Sequence, residues 1–230
     1  MIIKARNISK VYNQNSEAEF FGIRDVSLEI EKGELIAIVG PSGAGKTTLF
    51  NMLGTLDTPT FGQLEIKGKN ILSLDYNEKS KLRNEVIGFI FQQFRLIPTL
   101  SALDNALLPL LVSESGIDLP KKEKVIQLFH KYGLKNQLNK YPSQLSGGEQ
   151  QRVAIIRALV NEPDIILADE PTGSLDSKMS AFVFDTLQEI HEEDGKTVIY
   201  ITHNMNLVKK ASRIIKIEDG SVVLDETCVY

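Results

Sequence analysis

Apolar and polar residues alternate in the opening part of the chain: Ile3 precedes a polar residue, and Ala5, Val26, Leu28 and Ile30 each stand between polar neighbours. A period of two marks strands with one buried face, so an antiparallel β-region is expected at the start. At Leu35–Val39 the pattern changes to LIAIV, an unbroken apolar run between Gly33 and Gly40. Such a run suits a strand buried on both faces. Similar runs recur at 165–168 and 197–202, with helical patterns at Lys46–Leu53, 149–160 and 180–193 between them. Strands alternating with helices predict an α/β fold with an open, largely parallel central sheet. From 99 to 160 the reading is helical only, with Pro120 as a start and Gly133 as a stop. This predicts a helical subdomain (99–160) inserted into a core formed by 1–98 and 161–230, the whole being one domain over 1–230. Near the end, 213–217 and 221–224 flank Glu218, Asp219 and Gly220, and Asp-Gly supplies the positive φ angles of a tight hairpin.

Composition narrows the function classes. At 230 residues, with 42% hydrophobic and 24% charged, the chain is an ordinary globular protein able to bury a core. A formal charge of -4 and the lack of a Lys/Arg block argue against nucleic acid as a partner. The single cysteine, Cys228, has no intrachain partner, which fits a reducing cytoplasm. The opening MIIKARNISK lacks the apolar stretch of a signal peptide. The longest apolar run is about seven residues against the ~20 needed to span a bilayer. The expectation is a chain that does not cross a membrane by itself.

The first chemical motif follows the first doubly buried strand. GPSGAGKTT at 40–48 matches G-x-x-x-x-G-K-[ST] between a strand and a helix. Glycines let successive N–H groups turn toward phosphate oxygens, and the helix start adds partial positive charge. Gly40, Ser42, Gly43, Ala44, Gly45, Lys46, Thr47 and Thr48 are therefore the expected phosphate-loop contacts to ATP. Lys46 would reach the β- and γ-phosphates and the Thr47 hydroxyl would ligate Mg²⁺.

Two more strand ends carry chemistry. IILADE puts Asp169 and Glu170 at a carboxyl end, where open α/β sheets collect ligands. Asp169 is expected at Mg²⁺ and Glu170 as the general base toward the attacking water. TVIYIT ends at His203, whose imidazole would contact the γ-phosphate or hold the water and Glu170 in register. His130 and His191, within helical patterns, read as solvated faces.

LSGGEQQR at 145–152 narrows the field further. Locally it is a capping box between Ser146 and Glu149. The box leaves Gly147-Gly148 unexplained, because two glycines weaken a helix start unless the backbone must approach something closely. With this motif the chain resembles the ATP-binding subunits of ABC transporters. The resemblance implies that Ser146, Gly147 and Gly148 close over ATP held by a second copy. It also implies adenine stacking on Tyr12, with Phe20 and Phe21 as alternatives, and a glutamine sensing Mg²⁺ and water, Gln92 or its neighbour Gln93, with Gln92 chosen by its spacing to FIF. Asp176 in GSLD would link the two sites across the dimer.

The resemblance covers essentially the whole chain and reads most like the macrolide-exporter and lipoprotein-release branch. It departs at Asn204, where the family usually has aspartate, and at Asp104, where glutamate is common. It implies a cytoplasmic homodimer, peripheral on the inner face of the membrane through a permease, that spends ATP on export, lipoprotein extraction or mechanical work on the envelope. A cell-division type of signalling cassette is the alternative. The apolar turn FRLIPT at 94–99 would dock the permease, or be covered internally by LSALDNALLPLLV.

Overall fold

The computed structural model describes residues 1–112, 116–173 and 175–228. A four-stranded antiparallel sheet has the order β2-β1-β4-β5, with β1 at Ile3–Tyr12, β2 at Phe20–Ile30, β4 at Phe61–Ile66 and β5 at Lys69–Asn70. The central sheet has six strands in the order β10-β9-β3-β8-β7-β6. These are β3 (Leu35–Val39), β6 (Ile87–Phe91), β7 (Ile165–Asp169), β8 (Thr197–Ile201), β9 (Arg213–Glu218) and β10 (Ser221–Thr227). All pairs are parallel except β9 with β10, whose two-residue turn places Asp219 at φ 46° and Gly220 at φ 78°.

The unbroken apolar runs now have a physical reason. Ile36 and Ile38 of β3 pack with Leu49 and Phe50 of α1 (Lys46–Leu53) and with the antiparallel sheet. Their neighbours Leu35 and Ala37 enter a second core on the opposite face. That second core is built by α3 (Ala102–Leu111), α4 (Leu119–Lys131), α5 (Gly147–Leu159) and α6 (Ser177–Glu192). A strand covered on both faces has no solvent side on which to place polar residues.

The stretch 58–86, where the sequence pattern predicts no element, holds β4, β5 and α2 (Tyr76–Val86). Only Leu82 and Val86 of α2 are buried, so its apolar period is faint, whereas its Asp75–Glu78 capping box is formed. Both departures from the family pattern cap helices. Asp104 and Ser101 cap α3, and Asn204 accepts from the Asn206 N–H at the start of α7 (Met205–Val208). His130 is exposed, whereas His191 is only half-exposed, with its Nδ1 shielded from water.

Asn105 is fully buried and holds the turn before α3 together. Its Oδ1 accepts from the Ile97 N–H at 2.7 Å, and Nδ2 lies within 3.1 Å of the carbonyls of Ile97, Leu100 and Ser101. Asn105→Leu keeps the branched shape, with bulkier ends, but strands several of these groups. The expected loss is about 3 kcal/mol, since each unsatisfied buried group costs ~1–3 kcal/mol. Thermal melting should show this as a fall of roughly 6–12 °C for a chain of this size.

Candidate functional site

The parallel register builds the site. Phe91 of β6, Asp169 of β7 and Ile201 of β8 lie side by side, so the residues that follow them emerge together at one edge of the sheet. Gln92, Glu170 and His203 leave the sheet at this edge.

The phosphate loop is shaped by contacts that only glycine permits. Gly40 has φ 150°, and a Cβ there would stand 2.1 Å from the Ile217 carbonyl oxygen. Gly45, which caps α1, has φ 102°, and its Cβ would stand 2.2 Å from the Gly22 carbonyl oxygen. Lys46 is buried and donates to the Gly40 and Pro41 carbonyls at 2.9 and 2.7 Å, so its ammonium lies inside the loop. Thr47 is exposed and Thr48 faces Gly22.

Glu170 sits in the left-handed region at φ 46°, uncommon for a side chain with a Cβ. Its backbone is held there by donation from its N–H to the Ile201 carbonyl and by the Gly173 N–H donating to its own carbonyl. Its Oε1 is shielded from solvent without an aligned hydrogen bond, yet lies 2.9 Å from His203 Nε2. Burial pushes the Glu170 carboxyl above its ordinary range; Asp169 adds to this, while His203 and Lys46 oppose it. Asp169 is also raised by burial, against the pull of Arg95 and Lys46. Two desolvated carboxylates beside one lysine leave a local demand for positive charge.

Gln92 lies over Gly173, whose Cβ would meet Gln92 Nε2 at 2.7 Å. Gly173 thus gives the amide room beside the loop that follows Glu170. Tyr12 stands close to Gly22, and its ring stacks on Phe20 with centroids 5.2 Å apart while its hydroxyl donates to Asp57. Phe21 stacks instead under Arg24.

Ser146, Gly147 and Gly148 form a separate group at the start of α5, where the Ser146–Glu149 capping box is complete. The nearest surroundings of Gly147 are Phe94, and those of Gly148 are the Met179 side chain. Asp176 is exposed and caps α6 by accepting from the Met179 N–H at 2.9 Å. Neither Gly147 nor Gly148 has a positive φ, so no turn geometry requires them.

The family model described as ABC transporter matches residues 23–173. The chain belongs to the ABC transporter ATP-binding family. It is 48% identical over 222 residues to the ABC transporter ATP-binding protein MJ1508 of Methanocaldococcus jannaschii, covering 96% of this chain and 98% of that one. Identity to the macrolide export ATP-binding/permease protein MacB of Syntrophobacter fumaroxidans is 42%, over 96% of this chain but only 31% of the MacB chain. The solved cassette MJ0796, a dimer in a post-hydrolysis state bound to ADP and Pi, superposes with a TM-score of 0.91 at 42% identity over the full length of both chains. This chain is an ABC ATPase and the ATP-binding subunit of a transporter. Among the described residues of the cassette, no helix is long and apolar enough to cross a membrane.

Three further residues shape these surroundings without standing out in the sequence as site residues. Gly22 and Gly173 make space for the phosphate loop and for Gln92, and nothing in their local pattern marks them. Arg157 was detectable as a charge interrupting the apolar run VAIIRALV.

Proposed function

We propose that two copies of this cassette clasp two ATP molecules and use their hydrolysis to move a membrane permease from the cytoplasmic face, in export, lipoprotein extraction or mechanical work on the envelope. The observation that carries this reading is the division of the site. The phosphate loop is lined by Gly22 and Ile217, whereas Ser146, Gly147 and Gly148 stand with Phe94 and Met179. A chain that keeps its exposed, glycine-bearing helix start apart from its own phosphate loop is suited to offer it to another copy's nucleotide. The dimeric state of MJ0796 supports the same arrangement.

ATP and Mg²⁺ fit the residues present. Lys46 already has its ammonium inside the loop, and Thr47, Asp169 and Gln92 offer the oxygen donors that Mg²⁺ prefers. When bound, Mg²⁺ would neutralise phosphate charge. The chain's own part is positioning. Phosphate-loop N–H groups and Lys46 hold the β- and γ-phosphates, Tyr12 with Phe20 offers a stacking face for adenine, and Glu170 takes the proton of the attacking water with His203 beside it. Asp176, exposed at the start of α6, is the residue proposed to join the two sites.

For the permease, an open cleft of ≈ 450 Å³ lies where α2, β6, α3 and α5 meet, lined by Leu56, Phe89, Phe91, Val112, Arg83 and Arg95 among others. Apolar walls with arginine heads and no carboxylate in the lining suit a helix from a membrane subunit. The 94–99 turn divides between the two roles weighed for it: Leu96 packs into the helical core, while Ile97 remains 41% exposed.

Light scattering on Glu170→Gln tests the reading. Mass should be that of one copy without nucleotide and double when ATP is trapped. Equal mass in both states would remove the clasp.

A further inference from the structure

Among the described residues, Arg157 is a cation without an anion. It stands in the last turn of α5, half-buried, with no carboxylate paired to it among the described residues. Burial, with Arg95 nearby, holds its pKa below the usual arginine value. Its guanidinium is spent on backbone: Nη1 donates to the Arg95 carbonyl at 2.6 Å and Nη2 to the Phe94 carbonyl at 2.8 Å. A partly buried charge held only by carbonyls is an unfavourable way to stabilise a core. The reason for it must lie in what it grips.

It grips the loop that carries Gln92. Arg95 has φ 49°, a left-handed conformation strained for a residue with a Cβ. Its guanidinium lies 3.8 Å from the Phe91 ring centroid, so the strained residue is held by its side chain on β6 and by its carbonyl on α5. At the start of the same loop, the Gln92 amide rests against Gly173 beside Glu170. The path of the loop from the sheet to Arg95 is therefore set from both ends.

The opposite end of α5 carries Ser146 and Gly148, and its 13 residues make a rod of about 20 Å. One rigid element thus joins the group offered to the partner's nucleotide with the clamp on the chain's own Gln92 loop. We propose that Arg157 is a positioning residue that ties the Gln92 loop to the signature helix, so that closure over ATP at one composite site sets the Gln92 side chain in the other. The inference rests on the two-copy clasp described above. It makes the two ATP sites energetically coupled through a contiguous element. Arginine is required because its planar fork spans two carbonyls, whereas a lysine ammonium meets them as a single point.

The test is Arg157→Lys, made in the full chain and also combined with Glu170→Gln. In the combined variant, ATP should still double the mass in light scattering. In the single variant, nucleotide affinity of the isolated subunit and the melting temperature should stay near wild type. Its kcat should fall about tenfold, short of the ~100-fold that a 1 Å misplacement can cause. The Hill coefficient for ATP should fall toward one. Dimerisation retained with unchanged kcat and Hill coefficient would overturn the proposal. So would a parallel loss of melting temperature, nucleotide affinity and kcat, which assigns Arg157 to the core. Absence of ATP-driven dimers in the Glu170→Gln parent would overturn it by removing the clasp, an outcome read separately from the kinetics. If Arg157→Lys does not fold, Arg157→Gln, which keeps a single donor group, replaces it. Failure of both to fold ends the proposal.

Discussion

Glu170→Gln is expected to lower kcat for ATP hydrolysis by roughly 10²–10⁴-fold, the usual contribution of a positioned general base, with nucleotide affinity within about twofold of wild type. The substitution is close to isosteric, and the unusual backbone at this position is held by main-chain bonds to Ile201 and Gly173 that the side chain does not make. Lys46, Thr47 and Asp169, the proposed ATP and Mg²⁺ contacts, are left in place. Stability should move the other way from activity. Burial raises the folded-state pKa of Glu170 above its unfolded value, so this group favours the native state at acid pH and loses that contribution as pH rises through the raised pKa. Above that pKa the wild-type protein carries a desolvated charge that a neutral amide removes. Glu170→Gln should melt above wild type at neutral pH, with the difference shrinking toward acid pH, where the carboxyl is already protonated. Phosphate release and calorimetry at two pH values read both effects. Steady-state turnover near wild type would take Glu170 out of the role of base.

How much of this was legible in the sequence depends on whether a residue's task is local. Lys46, Asp169 and Glu170 follow apolar runs whose doubly buried character is plain, and the parallel register then brings their strand ends together. The antiparallel start, the inserted helices and the Asp219-Gly220 hairpin were legible for the same reason. Strand β4 and helix α2 were not, because α2 buries only Leu82 and Val86 and β4 exposes its first half. The harder class is residues defined by a distant backbone. Gly22 matters because Gly45 and Thr48 approach it, and Gly173 because Gln92 does. Arg157 grips carbonyls more than sixty positions away. Tyr12 falls between the classes. Its strand-end position was visible, but its pairing with Phe20 depends on how β1 and β2 register beyond their irregularities.

The contrast between two glycines of the phosphate loop gives the other large expected effect. Gly43 and Gly45 both have positive φ, 79° and 102°, and both fall in the same motif. A Cβ on Gly43 meets nothing within 4 Å, so Gly43→Ala carries only the backbone penalty, about 1–2 kcal/mol. A Cβ on Gly45 would stand 2.2 Å from the Gly22 carbonyl oxygen and 3.1 Å from Ile23 Cδ1. The first of these is main chain of β2, which is paired to β1 and cannot swing aside as a side-chain tip can. Relief must come from α1, whose first turn carries Lys46 and the N–H groups proposed to hold phosphate. Gly45→Ala therefore combines backbone strain of ~1–3 kcal/mol with overpacking of a similar size. A melting temperature lower by on the order of 10 °C follows for a domain of this length, against a few degrees for Gly43→Ala. Nucleotide binding should separate the pair more sharply than stability does. Displacing the α1 start moves every phosphate contact at once, so Gly45→Ala should bind ATP too weakly to measure at concentrations that saturate Gly43→Ala. Melting and fluorescent-nucleotide titration of the two variants side by side decide the matter. Equal melting temperatures with equal affinities would mean that the seating of α1 against β2 is not what shapes the loop, and that the glycine at position 45 is tolerant where its surroundings say it should not be.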